Sequence, residues 1–165
     1  MAKRINCGRF AEDFYLLNRL SNLMVKVESL MTKKALTIES HKTIFEAAQL
    51  MSQKEVGDLI VVENEIPVGI VTERDFVRRV IARGRDPNSK VSDVMSKPLI
   101  TISPDASINA AARKMMKKGI RRLPVIQNHK LVGIIVVSDF ARHIGKKTFT
   151  EGILEAIWRR PIGEA

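Results

Sequence analysis

The apolar residues of this chain follow a pattern that is written twice. Ile44, Ala47, Ala48 and Met51 recur at i, i+3, i+4 and i+7, the spacing of one helical face. Sixty-four residues later, Ile108, Ala111, Ala112 and Met115 repeat that stripe. The stripes predict helices over 43–54 and 107–118, with Thr43 or Ser40 and then Ser107 as N-caps. Two strands follow each helix, 59–63 with 68–71 and 123–127 with 131–137. Their connections, Asn64-Glu65-Ile66-Pro67 and Asn128-His129-Lys130, carry hairpin signals. A short strand precedes each helix, at 35–38 and 99–102, after a helical turn ending at Met31 or Met95. A last helix starts near 72–75 and runs to about Ala82; its counterpart starts near Ser138 and runs to about Ile144.

The two halves align without a gap from 27–80 onto 91–144, and about a third of the aligned pairs are identical. Accidental amphipathicity does not extend such a match through loops, so the chain holds an internal duplication. The expected fold class is α/β (α+β): two tandem β-α-β-β-α units packed as a pseudo-twofold pair, each sheet covered by helices on one face. The units span 27–84 and 85–145, and helical extensions occupy 1–26 and 146–165. The extensions show apolar stripes at Phe14, Leu17, Leu20 and Met24, and at Ile153, Leu154, Ile157 and Trp158. Either stripe can pack on the repeats or serve an interface.

With 45% apolar residues in 165, the chain has enough to build a core. Its 28 Lys and Arg against 18 Asp and Glu leave +10, which invites an anionic partner. The charge is uneven: residues 1–26 carry +3, 27–84 carry −1, 85–145 carry +7 and 146–165 carry +1. Cys7 is the sole cysteine, and His41, His129 and His143 lie far apart, so neither an internal disulfide nor a metal site is expected. The basic N-terminus precedes no apolar h-region, and the longest apolar run, 131–137, is too short to cross a bilayer. A cytoplasmic protein with no membrane partner is expected.

At the end of the second hairpin strand the first unit reads Gly69-Ile70-Val71-Thr72-Glu73-Arg74-Asp75. This resembles the G-h-x-T/S-x-x-D motif of CBS domains, named for cystathionine beta-synthase. Gly119-Ile120-Arg121-Arg122-Leu123-Pro124-Val125-Ile126 is similar to that family's passage from helix to strand. The resemblance runs from Val27 to about Ile144, some seventy per cent of the chain. It implies a stand-alone CBS pair, two clefts between the repeats, and an adenosine derivative as ligand: AMP, ADP, ATP or S-adenosylmethionine. It also implies a sensor or regulatory module, a homodimer formed through helices, and a regulated partner protein in trans. No cofactor is required.

The residues support that chemistry to different degrees. Thr72 and Asp75 sit three apart at a helix start and share a face. A carboxylate can accept two hydrogen bonds from a ribose diol, and a threonine hydroxyl with free helix N–H groups suits a phosphate oxygen. The resemblance assigns Asp75 to the ribose and Thr72 to the phosphate, with Gly69 and Arg74 in the same motif. The same two residues can equally cap a helix. In the second unit Asp139 keeps the ribose position, but Val136 stands where Thr72 would be, and Ser138 can substitute or only cap. Arg121 and Arg122 precede a strand where the family often places phosphate contacts, and a guanidinium fork suits that role. Their counterparts, Gly57 and Asp58, do not. Arg122 is therefore a candidate to serve a phosphate held by Thr72. Thr37 and Thr101 are family contact positions, and Ile38, Ile102, Val56, Ile120 and Pro124 are candidates for an apolar adenine slot.

No Walker or Rossmann phosphate loop and no Gly-x-Ser-x-Gly are present, and Cys7 has no evident His partner, so the chain reads as not an enzyme. The competing reading is a nucleic-acid-associated protein. It rests on Arg113, Lys114, Lys117, Lys118, Arg121 and Arg122 within ten residues. Phe140 is the only aromatic of the second unit, which leaves no stacking platform for single strands.

Overall fold

Thr43 decides where the first long helix begins. In the structure, a computed structural model that describes residues 25–144, its side chain accepts a bond from the Glu46 backbone N–H while Glu46 accepts from the Thr43 N–H. That capping box opens α1, Ile44–Lys54, and Ser40 lies outside it. Ser107 caps α3, Ile108–Lys118, from the equivalent position by accepting from Ala110 N–H. The predicted extensions, with Cys7 and both apolar stripes, lie outside the described residues.

Both helices end in the left-handed region, at Glu55 (φ 52°) and Gly119 (φ 62°). Gly119 adopts this without a Cβ penalty, whereas Glu55 carries one. Each helix leads to a hairpin: β2 (Asp58–Glu63) with β3 (Ile66–Thr72), and β4 (Arg122–Gln127) with β5 (Lys130–Val136). The turns are tighter than the sequence predicts. Asn64-Glu65 and Asn128-His129 alone make them, all four residues at positive φ, the pattern that matches strand twist. The register slips between Val61 and Val62, where the partner residue is Pro67, which has no N–H to give the ladder.

The first strand, β1, covers Thr37–Glu39 rather than 35–38, and pairs parallel to β2 with Thr37 opposite Ile60. The sheet order is β1-β2-β3. The strand expected at 99–102 shrinks to one parallel bridge, Ile102 to Val125. The last helix of the first repeat, α2, is composite: an α turn Glu73–Asp75, a π turn Phe76–Val80 and a 3₁₀ turn Ile81–Arg83. Its counterpart α4 spans Val137–Ile144. The helical turns before Met31 and Met95 are 3₁₀, at Val27–Ser29 and Val91–Asp93.

The chain divides into two compact units that do not follow the repeats. One comprises 31–104 and 122–135. Its core joins Ile38, Ile44, Ala47, Met51, Leu59, Val61, Val71 and Val80 to Val91, Val94 and Met95, so the turn that opens the second repeat completes the core of the first. In this unit Thr32 exchanges backbone hydrogen bonds with Ile134, and Ser96 does so with Ile70. The two pairs are the same contact written twice, sixty-four residues apart. The other unit holds 25–30, 105–121 and 136–144 of the described residues. There Val27 N–H bonds Ala106 O, and Val27, Ile108, Ala111, Ala112, Met115 and Phe140 are buried.

The capping box of α1 makes a pH prediction. Lys42, bonded to the Glu46 carboxylate, and the Thr43 donors hold Glu46 down at about 2 from an ordinary 4.5. A depressed carboxylate stabilises the fold above its unfolded value and loses that contribution as pH falls through the folded one. Glu46→Gln is therefore expected to lower the melting temperature at neutral pH, with the difference from wild type vanishing as acid melts approach pH 2.

Candidate functional site

The strand-to-helix corner at the end of β3 gathers most of the chemistry. Asp58 starts β2 directly opposite Thr72, the last residue of β3. Thr72 and Asp75 form a second capping box. Asp75 Oδ2 accepts from the Thr72 N–H at 2.9 Å and from its hydroxyl at 2.8 Å, while the Thr72 hydroxyl accepts from the Asp75 N–H at 3.3 Å. The other oxygen, Oδ1, faces the Arg79 guanidinium at 3.2 Å. Arg79 is in turn anchored by the Val94 carbonyl at 2.6 Å and the Ser96 hydroxyl at 3.0 Å. The cap thus exists, and it orients the carboxylate: Asp75 is fixed from both sides and its side chain stays 13% exposed.

Arg122 joins this corner from β4. Its Nε donates to Asp58 Oδ1 at 2.5 Å. Gly57, next in chain, is flanked by both charges of the corner. A Cβ there would lie 3.0 Å from Glu73 Oε2 and 3.5 Å from an Arg122 terminal nitrogen. The Glu73 N–H, at the helix start, bonds the Gly57 carbonyl at 3.2 Å. Thr72, Glu73, Asp75, Gly57, Asp58 and Arg122 are therefore one neighbourhood within one compact unit. Arg74 is exposed on the next residue along.

Other sequence candidates lie on the strands of the same unit. Thr37 is exposed on β1 beside buried Ile38. Ile102 is buried and takes the Ile126 N–H, while its own N–H bonds the Pro124 carbonyl. Thr101 is half-buried and Pro124 buried. Val56 packs against the core cluster. Gly69 has a packing reason of its own: a Cβ there would come within 2.4 Å of Met95 Sδ and 3.2 Å of the Ser96 carbonyl. It lets the segment after Val94 pass close to β3.

The equivalent corner of the second repeat is built differently. Asp139 Oδ2 accepts from the Val136 N–H at 2.8 Å, as Asp75 does from Thr72, but valine has no hydroxyl to add to that bond. Asp139 is 4% exposed, well below Asp75. Ser138 and Arg121 are exposed, and the Arg121 carbonyl takes the Val137 N–H, the counterpart of the Glu73-to-Gly57 bond. The first corner leaves its carboxylate partly accessible; the second buries it.

Sequence reasoning missed Asp58, Glu73 and Arg79 as parts of the site. The signal for Asp58 was present. Asp58 and Arg122 occupy the same position in the two repeats, sixty-four residues apart, and carry opposite charge. A duplicated fold tends to bring equivalent positions face to face. Among the described residues, no group of three or more His, Cys, Asp or Glu could hold a metal ion, and no helix is long and apolar enough to cross a membrane.

Comparison with known proteins places the chain in a family. The chain is 41% identical over 118 residues to the CBS domain-containing protein YhcV of Bacillus subtilis, covering 72% of this chain and 84% of that protein. It is 37% identical over 118 residues to protein MK0525 of Methanopyrus kandleri, covering 70% of this chain and 60% of that longer protein. Among solved structures it is similar to the CBS domain pair of protein MJ0100 in complex with 5-methylthioadenosine and S-adenosylmethionine. The TM-score is 0.68 and the identity 27%, with 74% of this chain and 97% of that one covered. The family model for the CBS domain matches residues 27–82 and again 91–146, and with both repeats accounted for the chain belongs to the CBS-domain family as a tandem pair.

Proposed function

We propose that this chain is a regulatory module that binds an adenosine derivative at the Thr72–Asp75 corner and acts on a partner protein rather than by catalysis. The observation that carries the reading is the convergence of an oriented, partly accessible Asp75 with Arg122 delivered from the other repeat. Asp75 Oδ1 accepts from the ribose hydroxyls. The Arg122 guanidinium takes a 5′-phosphate, and the Thr72 hydroxyl joins it by turning its one proton away from Asp75 Oδ2. The ligand pair in complex with the CBS domain pair of MJ0100, a thioether and a sulfonium of adenosine, supports the adenosyl class. The ligand belongs to the AMP, ADP, ATP and S-adenosylmethionine group. The second corner, with Asp139 buried and Val136 in the threonine position, contributes weakly, so one ligand per chain is the expected stoichiometry.

A ligand that favours one arrangement of the repeats shifts the population by no more than its differential affinity for the two arrangements. Thermal shift tests binding directly: a ligand at a hundredfold its dissociation constant adds about 2.7 kcal/mol of stability. No shift with AMP, ADP, ATP, methylthioadenosine or S-adenosylmethionine would remove the proposal.

The Asp58–Arg122 pair sets a further expectation for that site. A phosphate must compete with Asp58 for the guanidinium, whereas a sulfonium has no need of it. Asp58→Asn is expected to tighten AMP about fivefold, a fraction of a charged hydrogen bond, and to leave S-adenosylmethionine unchanged or weaker. Calorimetry with both ligands on both proteins reads this. Equal effects on the two ligands would detach Arg122 from the phosphate role.

A further inference from the structure

The duplication supplies its own control for deciding what the second repeat does with its charge. Helices α1 and α3 occupy equivalent positions and bury equivalent stripes: Ile44, Ala47 and Met51 in one, Ile108, Ala111, Ala112 and Met115 in the other. What folding requires of this helix is therefore common to both copies. Their outer faces have diverged. Gln49, Leu50, Ser52 and Gln53 of α1 correspond to Arg113, Lys114, Met116 and Lys117 of α3. All four of the α3 residues are exposed, as are Lys118 and Arg121, and no Asp or Glu occurs between Asp105 and Asp139.

This charge works against the helix that carries it. Arg113 with Lys117, and Lys114 with Lys118, are like charges at i,i+4, a spacing that destabilises a helix by about 0.2–0.5 kcal/mol per pair. In the first repeat the same positions, Gln49 with Gln53 and Leu50 with Lys54, hold no like-charge pair. The helix dipole favours Lys117 and Lys118 in the last turn but gives no reason for Arg113 a turn earlier. Among these cations Met116 leaves 48% of its surface exposed.

We propose that the outer face of α3, centred on Arg113, Lys117 and Lys118 with Met116 among them, is a docking surface for an acidic segment of a partner protein. Charge complementarity names the partner's sign. The composition of the patch names its class. It has no aromatic residue to stack unpaired bases or to anchor in a bilayer interface. An exposed methionine beside arginine is a pairing favoured at protein interfaces, because the thioether adapts to varied apolar neighbours. The surface does not depend on which adenosine derivative is bound, or on whether one is.

The test uses the full chain and three probes at matched ionic strength: a fluorescent peptide of alternating glutamate and leucine, a DNA duplex, and phosphatidylserine–phosphatidylcholine vesicles. The peptide is expected to bind, and to weaken with salt. The double substitution Lys117→Glu with Lys118→Glu should weaken it about tenfold or more. That reversal turns both repulsive i,i+4 spacings into attractive ones, which offsets the cost of two acids in the last turn against the helix dipole, and circular dichroism checks that the fold persists. Lys117→Gln with Lys118→Gln provides a milder variant and an intermediate loss. Absence of peptide binding at low salt, unchanged peptide binding in both variants, or tighter binding to the duplex or the vesicles would each overturn the proposal.

Discussion

Asp75→Ala is expected to lower adenosine-ligand affinity about a hundredfold. The estimate takes two charge-assisted bonds to the ribose diol at about 1.5 kcal/mol each, or about 3 kcal/mol in all. The substitution also removes a cap and frees Arg79, so a loss of stability comes with it. Asp139→Ala separates the two effects. Asp139 is buried and holds the Val136 N–H, so its removal leaves a donor without that acceptor and costs about 2 kcal/mol of stability. Calorimetry and thermal melts on both variants should give opposite profiles: affinity lost with modest destabilisation for Asp75, affinity retained with larger destabilisation for Asp139. If the two carboxylates behave alike, both are caps and nothing more, and the ribose assignment fails.

That pair of variants also shows where reading the sequence stops. The repeat, the helix caps at Thr43 and Ser107, and the hairpins were legible because each is set by local spacing or by side chains three residues apart. The Thr72–Asp75 motif was legible for the same reason, but as two alternatives. The structure shows the cap: one oxygen of Asp75 caps while the other is held by Arg79, and the ribose role is the part we propose. Arg79 stands i,i+4 from Asp75, a spacing the sequence does carry, but its anchoring by Val94 and Ser96 is a long-range arrangement that no local pattern encodes. The first strands were misplaced or reduced because β1 needs only three residues once β2 supplies its partner edge. The compact units cut across the repeats for a related reason. Backbone exchange such as Thr32 with Ile134 links segments that periodicity assigns to different repeats.

Gly69 and its counterpart sixty-four residues on, Gly133, test that exchange quantitatively. A Cβ on Gly69 would come closer to its neighbours, 2.4 Å from Met95 Sδ, than one on Gly133, whose nearest atom is the Thr32 carbonyl oxygen at 2.6 Å. Distance alone ranks Gly69→Ala as the more damaging. The nature of the obstacle reverses the ranking. Met95 Sδ lies near the end of an unbranched side chain that can rotate away, and the Ser96 carbonyl at 3.2 Å needs to yield only a few tenths of an ångström. The Thr32 carbonyl cannot yield, since Thr32 and Ile134 are tied by reciprocal backbone bonds of 2.9 Å, and Met31 Sδ closes the same space at 2.9 Å. Gly133→Ala must therefore push two backbone segments apart and break that bridge. It is expected to cost about 3 kcal/mol, at the upper end of overpacking, against about 1 kcal/mol for Gly69→Ala. Chemical denaturation of the two variants decides the order. Equal costs would mean that the Thr32 segment yields as readily as a methionine side chain, and that the reciprocal pairing between the repeats is not what holds β5 in place.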